Sequence, residues 1–308
     1  MSRPRVLVTP RSLTSAGLDT VAELEPLRDR YELVPSSPGR MPDESELLGL
    51  APGCVGWLAG VERIGAPVLG AATALRAISR NGAGTDAIDR EAAERAGVQV
   101  LRAPGANAPG VAELVLAVVL SALRSVGPAS AALRAGRWER VIGSELSERT
   151  VGVVGLGEVG RRTAALLAAC GAHVVGHDPF VEQHAVPAVG LDELLSTCDV
   201  ISLNLPAPAD GRPVIGAAEL ARIPAGTVLV NTARSALVDD AAVLAALDSG
   251  RLASYAVDAF DAEPPEMSAL LAHERVIATP HLGGYTGASV RRATRMAVDN
   301  LVSALEGS

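Results

Sequence analysis

Three side chains that could bind a carboxylate and move a proton lie in the last third of the sequence. Arg234, Glu263 and His281 each come shortly after an apolar run that is typical of a buried strand. An arginine guanidinium binds a carboxylate through two parallel hydrogen bonds. A histidine beside a buried glutamate is a good proton donor, because the carboxylate stabilises the imidazolium. We therefore expect Glu263 to be buried next to His281.

Each of these three residues has an ordinary alternative when it is taken singly. A lone Arg after a strand is usually a surface residue, a His near two glycines is usually structural, and a Glu before two prolines is usually a solvated loop carboxylate. Their shared position favours the chemical interpretation, because ligands of open α/β sheets lie beyond the carboxyl ends of the strands.

A glycine-rich turn precedes these residues. Gly155, Gly157 and Gly160 form the pattern Gly-x-Gly-x-x-Gly between an apolar strand and an Ala/Leu-rich helix. The first glycine allows the tight turn, the second lets the backbone approach a pyrophosphate, and the third lets the helix pack close to the strand. The helix then points its free N–H groups at the phosphates. The alternative is a glycine-rich packing turn with no ligand.

Asp178 indicates which dinucleotide would bind. It lies 18 residues after Gly160, at the end of the next predicted strand. A carboxylate there can accept from both ribose hydroxyls and would repel a 2′-phosphate, which predicts NAD rather than NADP. The alternative for Asp178 is a turn with Pro179. With a nicotinamide cofactor, the Arg, Glu and His residues make the reduction of a 2-oxo acid chemically complete.

Composition excludes several other classes. All 27 basic residues among the 308 are Arg, so chemistry that needs a lysine Schiff base or a phosphate-loop lysine is absent. The net charge of −8 argues against nucleic acid or an anionic membrane as a partner. Three dispersed cysteines and unpaired histidines predict neither disulfides nor a metal site. No signal peptide or membrane span is apparent, and we expect a reducing, cytoplasmic setting.

Short apolar runs alternate with helical patterns, which predicts an α/β protein with parallel sheets, and the length suggests two domains. The predicted strands are Arg5–Thr9, Val55–Ala59, Leu75–Ser79, Val98–Leu101, Val151–Val154, His173–Gly176, Val200–Leu203, Val228–Val230, Ala253–Asp258 and Val276–Thr279. The predicted helices include Ser15–Glu25, Asp86–Ala96, a long helix over Pro109–Leu133 and a last helix over Thr286–Leu305. The long helix is apolar nearly all round, so it should be buried in its domain or against a partner.

Several of these motifs together resemble the D-isomer-specific 2-hydroxyacid dehydrogenases, with the phosphoglycerate-dehydrogenase-like enzymes as the nearest subgroup. The segments that carry the resemblance are Ser79–Asp89, Asn107–Glu113, Gly155–Gly160, Asn231–Asp239, Val257–Pro264 and Thr279–Gly284. The resemblance implies two Rossmann-like or flavodoxin-like parallel-sheet domains separated by a cleft. Residues 1–102 with 286–308 would form the substrate domain, and residues 103–285 the NAD domain.

The resemblance also implies roles for individual residues. Arg234 would bind the substrate carboxylate, His281 would be the acid/base, and Glu263 its partner. The residues expected to hold NAD are Gly155, Gly157, Glu158, Val159, Gly160, Asp178, Pro206, Thr232, Ala233, Arg234, Asp258, His281 and Gly283. Among them, Asp258 is expected on the nicotinamide carboxamide. The residues expected to bind substrate are Asn81, Gly82, Ala83, Arg234 and His281. A homodimer through the NAD domain is implied as well.

Departures from the family pattern bear on the substrate. Ser235 stands where the family usually has Gly, and the stretch Leu205–Gly211 lacks the usual Thr. Ala59 occupies the position of the arginine that binds substrate phosphate in phosphoglycerate dehydrogenases. Arg63 could replace it, as could Arg134 or Arg137 of a partner subunit; otherwise these are surface charges. Trp57 either contacts the substrate tail or packs at a strand end.

Four rival functions are weighed against the main one. Phosphoglycerate dehydrogenase proper is the nearest, although no regulatory extension follows Ser308 and feedback control is not expected. Formate dehydrogenases of this fold carry Gln where this chain has Glu263, and phosphite dehydrogenases need a lysine. A non-catalytic NAD-sensing scaffold is the alternative from another class. The sequence does not identify the substrate tail.

Overall fold

The computed structural model describes residues 3–181, 186–208 and 210–307. The chain divides into two compact units, Met1–Asn107 with Thr286–Ser308 and, between them in sequence, Ala108–Tyr285. Each unit is built on a sheet in which all paired strands are parallel, with helices between the strands. The predicted fold class, two parallel-sheet α/β domains, is confirmed.

The sheet of the first unit has the order β2-β1-β3-β4-β5, which is the flavodoxin-like order. Its strands are β1 Arg5–Val8, β2 Glu32–Pro35, β3 Cys54–Ala59, β4 Ala77–Arg80 and β5 Gln99–Leu101. The edge strand β2 was not predicted, because only Leu33 and Val34 are apolar in it and it ends in a proline. Proline is tolerated there because an edge strand leaves one side unpaired.

The helices in the N-terminal segment of the first unit are short. They are α1 Arg11–Thr14, α2 Glu25–Arg28, α3 Glu44–Leu50, α4 Ala66–Ala71 and α5 Arg90–Arg95. The predicted helix over Ser15–Glu25 is wrong. Gly17 has φ +84°, outside the helical region, and two 3₁₀ turns follow at Leu18–Thr20 and Ala22–Leu24. The helix α5 begins after Asp89, whose carboxylate accepts a hydrogen bond from the Ala92 N–H.

The second unit has a six-stranded sheet in the order β11-β10-β9-β8-β6-β7. Its strands are β6 Thr150–Val154, β7 His173–His177, β8 Val200–Leu203, β9 Thr227–Asn231, β10 Leu252–Val257 and β11 Val276–Ala278. Beside β7, Gly176 makes one isolated parallel bridge to Ala188. The strand order is that of a dinucleotide-binding domain. The outer strand that would pair with β7 in such a domain is represented here by that one bridge.

The helices of the second unit cover both faces of this sheet. They are α6 Ala108–Leu123, α7 Val126–Arg134, α8 Glu158–Ala169, α9 Leu191–Thr197, α10 Ala217–Leu220 and α11 Asp240–Asp248. Two separate apolar clusters form, one with Leu194, Leu229 and Leu247, the other with Val115, Val153 and Leu167. A sheet buried on both faces explains why its strands read as unbroken apolar runs.

The single helix predicted over Pro109–Leu133 is wrong in one respect, because it is two helices bent by 63°. The break lies at Ser125, which has φ +50°. Pro128 accounts for the break, since in a continuous helix its ring would clash with the Arg124 carbonyl and it has no N–H to donate. No single helix in the described part of the chain is long and apolar enough to cross a bilayer, and only this bent pair together meets that measure by length and composition.

The last helix, α12 Gly287–Glu306, belongs to the first unit and matches its prediction closely. The Thr286 side chain caps it by accepting from the Ser289 N–H at 3.1 Å. Its buried face includes Ala297, Leu301 and Leu305, which pack against β1 and β3 side chains.

Candidate active site

Arg234 is held at the carboxyl end of β9 by the carboxamide of Asn231, which is fully buried. Asn231 Oδ1 accepts from the N–H groups of Ala233 and Arg234 at 3.2 and 3.3 Å, and Nδ2 donates to the Arg234 carbonyl at 2.8 Å. The Asn231 side chain thus takes the place of the strand-to-strand hydrogen bonds that stop at the end of β9, and it fixes the backbone of Arg234. The guanidinium Nη1 donates to the Ala233 carbonyl at 2.7 Å.

Asp258 organises the segment that carries His281. It is 1% exposed, directly after β10. Its Oδ1 accepts from the Thr279 hydroxyl at 2.6 Å and from the Leu282 N–H at 2.7 Å, and its Oδ2 accepts from the Gly283 N–H at 2.8 Å. A Cβ at Gly283 would lie 3.1 Å from Oδ2, so glycine allows this close approach.

The same segment presents His281 with φ +52°, a left-handed conformation uncommon for residues other than glycine. Asp258 holds the Thr279 hydroxyl on one side of this residue and the Leu282 and Gly283 N–H groups on the other, and so stabilises the strained turn. The expected role of Asp258 on the nicotinamide carboxamide stays a prediction, and three of its acceptor sites already serve the His281 segment.

The structure brings Glu263 and His281 together. His281 Nδ1 lies 2.5 Å from Glu263 Oε1. With the carboxylate ionised, Nδ1–H donates to it, which leaves Nε2 for a substrate. The expectation that Glu263 is buried is wrong: the Glu263 side chain is 34% exposed and that of His281 50%. The two prolines that follow Glu263 keep it in a surface loop, so water screens the pair.

Ser235, the residue that departs from the family pattern, links the Arg234 segment to the Glu263 loop. Its hydroxyl donates to Asp261 Oδ1. Close by in the chain, burial raises the pKa of Asp240, and the neighbouring Asp261 and Asp239 raise it further. Burial also raises the pKa of the Tyr255 hydroxyl, in the strand behind these loops.

The glycine-rich turn has the geometry that a dinucleotide requires. Gly155 has φ +88° and a Cβ there would lie 2.7 Å from the Asn204 carbonyl oxygen. A Cβ at Gly160 would lie 1.8 Å from the Gly155 carbonyl oxygen, so α8 packs against the turn only with glycine. A Cβ at Gly157 would meet nothing, so this position faces open space where a phosphate could approach.

Glu158 and Val159 begin α8, where backbone N–H groups have no acceptor within the helix. The Glu158 carboxylate forms ion pairs with Arg161 and, at 4.0 Å, with Arg162. These guanidinium groups compensate a negative charge that would otherwise oppose a pyrophosphate. The first turn of α8 therefore remains suited to an anion.

Asp178 follows β7 and ties it to the glycine-rich turn. Its Oδ2 accepts from the Leu156 N–H at 2.8 Å and its Oδ1 from the Phe180 N–H at 2.9 Å. The turn that was considered as an alternative is therefore present. It leaves further acceptor sites on the carboxylate, so the ribose role stays open as a prediction.

The remaining cofactor candidates lie in loops at the same edge. Pro206 follows β8, and Thr232 and Ala233 follow β9. Thr232 Oγ1 is buried and, within the described residues, has no hydrogen-bond partner. A buried hydroxyl without a partner is costly, and a bound group that hydrogen-bonds to it would remove the cost. This orphaned atom fits the nicotinamide side of NAD.

The substrate candidates Asn81, Gly82 and Ala83 lie after β4 in the first unit. The Asn81 N–H donates to the Ala59 carbonyl at 2.9 Å and the Gly82 N–H to the Arg80 carbonyl at 2.8 Å. Two of these three backbone N–H groups thus already donate within the protein, so the expected contact with the substrate carboxylate falls to the Ala83 N–H. Its combination with Arg234 and His281 stays a prediction. Trp57 is fully buried, which supports packing rather than substrate contact.

Sequence reasoning gave no role to Asn231, although the motif that contains it was recognised. A signal was available: an asparagine that ends an apolar strand three residues before an arginine can bond to the intervening backbone. No group of three His, Cys, Asp or Glu side chains in the described part of the chain is arranged to hold a metal ion.

Residues 116–283 match the family model described as D-isomer specific 2-hydroxyacid dehydrogenase, NAD binding domain. The D-3-phosphoglycerate dehydrogenase of Mycobacterium leprae is 38% identical over 274 residues, which cover 86% of this chain and 52% of that protein. The chain thus spans about half the length of the curated relatives it matches.

Solved structures match the chain over nearly its whole length. The TT0316 protein from Thermus thermophilus is 34% identical with a TM-score of 0.89, and the match covers 98% of this chain and 97% of that one. A glyoxylate reductase from Paecilomyes thermophila is 29% identical with a TM-score of 0.85, over 99% and 96% of the two chains.

Proposed function

Since the chain belongs to the D-isomer-specific 2-hydroxyacid dehydrogenase family, we propose that it interconverts a 2-oxo acid and a D-2-hydroxy acid with NAD. The observation that carries the proposal is the His281–Glu263 pair at 2.5 Å. His281 lies after β11, Glu263 lies in the loop between β10 and β11, and Arg234 lies after β9 of the same sheet. The glycine-rich turn after β6 completes the set at that edge.

In the proposed reaction the residues of the chain bind, orient and protonate. The first turn of α8 and the glycine-rich turn hold the pyrophosphate, and Asp178 the ribose. When bound, the nicotinamide supplies or accepts the hydride. Arg234 binds the substrate carboxylate. His281 Nε2 donates a proton to the 2-oxo oxygen during reduction and takes it back during oxidation, while Glu263 stabilises the imidazolium.

A substrate without a phosphate group is the second part of the proposal. Ala59 ends β3 where the resemblance places a phosphate-binding arginine, and a phosphate dianion needs charge-assisted hydrogen bonds. Phosphoglycerate dehydrogenase proper is the competing function, which the similarity to the Mycobacterium leprae protein favours. Arg63, which is exposed on the loop after β3, is the cation that could serve it.

The test is NADH oxidation with a panel of 2-oxo acids, namely hydroxypyruvate, 3-phosphohydroxypyruvate, glyoxylate and bulkier acids. We expect turnover with at least one acid without phosphate and a specificity constant for it above that for 3-phosphohydroxypyruvate. A more than hundredfold advantage of the phosphorylated acid, lost in Arg63→Ala, would show that Arg63 binds phosphate. Binding of NADH without any turnover would favour the NAD-sensing scaffold.

A homodimer formed through the second unit is also part of the proposal. Large apolar side chains are exposed along α6, α7 and the segment after them: Leu120, Val126, Leu133, Trp138, Val141 and Ile142. Such a concentration marks an interaction surface, and Ile142 is completely exposed. Sedimentation should give a dimer that Ile142→Glu dissociates, while Met267→Glu, at another exposed apolar position, should leave it intact.

The proposed setting is the reducing cytoplasm. Cys54 and Cys198 are buried, Cys170 is exposed, and all three are free thiols. Fractionation of the producing cells tests this part of the proposal.

A further inference from the structure

A buried carboxylate lies at the carboxyl edge of the first unit's sheet, and the proposed mechanism does not use it. Glu62 follows β3 by three residues and is 2% exposed. Its Oε1 accepts hydrogen bonds from the Gly60 N–H at 3.0 Å and from the Thr9 hydroxyl. Both donors are neutral groups, so they hold the negative charge in place without neutralising it.

A chain of hydrogen bonds fixes the orientation of this carboxylate. The indole N–H of the buried Trp57 donates to Thr9 Oγ1 at 2.9 Å, which leaves the Thr9 hydroxyl to donate to Glu62. Gly60 makes room, because a Cβ there would lie 2.6 Å from Glu62 Oε2. Residues from β1, β3 and the loop after β3 are thus committed to one buried negative charge.

This charge lies close to the backbone where the substrate carboxylate is proposed to bind. The Ala59–Gly60 peptide unit joins the two places. Its carbonyl accepts from the Asn81 N–H at 2.9 Å and its N–H donates to Glu62 Oε1 at 3.0 Å. The Glu62 carboxylate is therefore at most about 8 Å from the Asn81 nitrogen, given the width of one peptide unit.

We propose that Glu62 is a specificity-determining residue that selects against a phosphorylated substrate tail. This inference rests on the proposed function and on the expectation that the backbone of Asn81–Ala83 also meets the substrate carboxylate. A phosphate on the third carbon of the acid would bring a dianion toward the negative charge of Glu62, which repels it. A hydroxyl on that carbon carries no charge and meets no such repulsion. The substrate class is a short 2-oxo acid with an uncharged, hydroxyl-bearing tail.

The neighbouring Ala59 disfavours a phosphorylated substrate in a second way. Ala59 and Arg80 are paired in register on β3 and β4, so Ala59 lies at the same edge as the Asn81 backbone. Ala59 only removes a favourable contact to phosphate, whereas Glu62 adds a repulsive one. Specificity is strongest when both elements are present.

The test is the ratio of kcat/KM for hydroxypyruvate to that for 3-phosphohydroxypyruvate in the full-length protein. Glu62→Gln keeps the size of the side chain and an oxygen for Thr9 and Gly60, but removes the charge. We expect the ratio to fall at least about tenfold in this variant. Glu62→Asp retains the charge and should retain the preference. Glu91→Gln makes the same change of net charge at an exposed position on α5 and should leave the ratio unchanged.

An unchanged ratio in a folded Glu62→Gln protein that binds NADH would overturn the inference. If the Glu62 variants do not fold, calorimetric binding of the two acids to the wild type tests the inference without any substitution.

Calorimetric binding of the two acids in the presence of NADH gives the same comparison without turnover. Weaker binding of the phosphorylated acid, relieved in Glu62→Gln, would support the role of Glu62 even if no acid is reduced. Equal binding of both acids by the wild type would refute it, whatever the activity assays show. Failure of the proposed function and failure of this inference are therefore distinguishable.

Discussion

The carboxyl edges of the two sheets use a buried polar side chain in opposite ways. In the second unit, Asn231 and Asp258 are buried and accept backbone N–H groups of segments that display another side chain, Arg234 or His281. In the first unit, Glu62 folds back onto Gly60 of its own loop and itself supplies the charge. In the second unit, one residue holds the backbone and another side chain is displayed toward the substrate. In the first unit, Glu62 is both the buried, hydrogen-bonded residue and the charged group proposed to act on the substrate.

The largest effect should follow from removing the group that the second unit displays. His281→Gln should lower turnover by about 10²–10⁴, the range for loss of a general acid, with little change in NADH affinity because the glycine-rich turn is untouched. Stopped-flow reduction and fluorescence titration with NADH measure the two quantities. Turnover within tenfold of the wild type would contradict the comparison, because the second unit would then not hold His281 in place for catalysis.

The next effect should come from the support beneath His281. Asp258→Asn replaces one of two accepting oxygens with an amide that faces an N–H group, so at least one of the three hydrogen bonds is lost. We expect a loss of about 1–3 kcal/mol in the free energy of unfolding, the cost of a buried donor without a partner. Turnover should fall about tenfold or more, since small displacements of a catalytic group are costly.

Denaturant unfolding and steady-state kinetics on the same preparation test this prediction. The control is Asp248→Asn on α11, an exposed carboxylate 3.6 Å from His273, which should change neither quantity appreciably. If Asp258→Asn lowers turnover without lowering stability, Asp258 acts on the cofactor rather than on the His281 segment.

The fold could be predicted from sequence wherever a strand is buried on both faces. The runs at Val151–Val154 and Val200–Leu203 are continuous because both sides of the sheet are covered. The edge strand Glu32–Pro35 has only two apolar residues and gave no such signal. The break at Ser125 depends on one proline three residues later, inside a pattern that is otherwise uniformly helical.

The site could be predicted where its residues belong to a motif, and it could not where they act through tertiary contacts. Arg234, Glu263 and His281 follow recognisable strands, and the pairing of the last two is confirmed. The exposure of Glu263 depends on how its loop lies on the surface, which no local pattern encodes. Glu62 resembles an ordinary loop glutamate until Thr9, 53 positions earlier, is seen to donate to it.

Asp178 sharpens the comparison because it combines a supporting role with a proposed binding role in the second unit. It accepts from the Leu156 N–H, and it is proposed to bind the ribose. Asp178→Ala should lower kcat/KM for NAD by about 10- to 100-fold, the value of one hydrogen bond to a charged group, and should raise that for NADP relative to it. Kinetics with both cofactors measure the ratio. A wild type that prefers NADP would contradict the role given to Asp178.

The smallest effect is expected from the partner of His281, and its exposure is the reason. The Glu263 carboxylate accepts from His281 Nδ1–H, which orients the ring and stabilises the imidazolium. Glu263→Gln keeps an oxygen for Nδ1–H but removes the charge. Because the side chains are 34% and 50% exposed, the loss should be that of a surface pair, about 0.2–1 kcal/mol, so steady-state kinetics should show turnover lowered no more than about fivefold. A fall of a hundredfold or more would mean that substrate and cofactor exclude water from the pair, and Glu263 would then resemble the buried Glu62. Unchanged turnover would remove Glu263 from the mechanism and leave His281 to act alone.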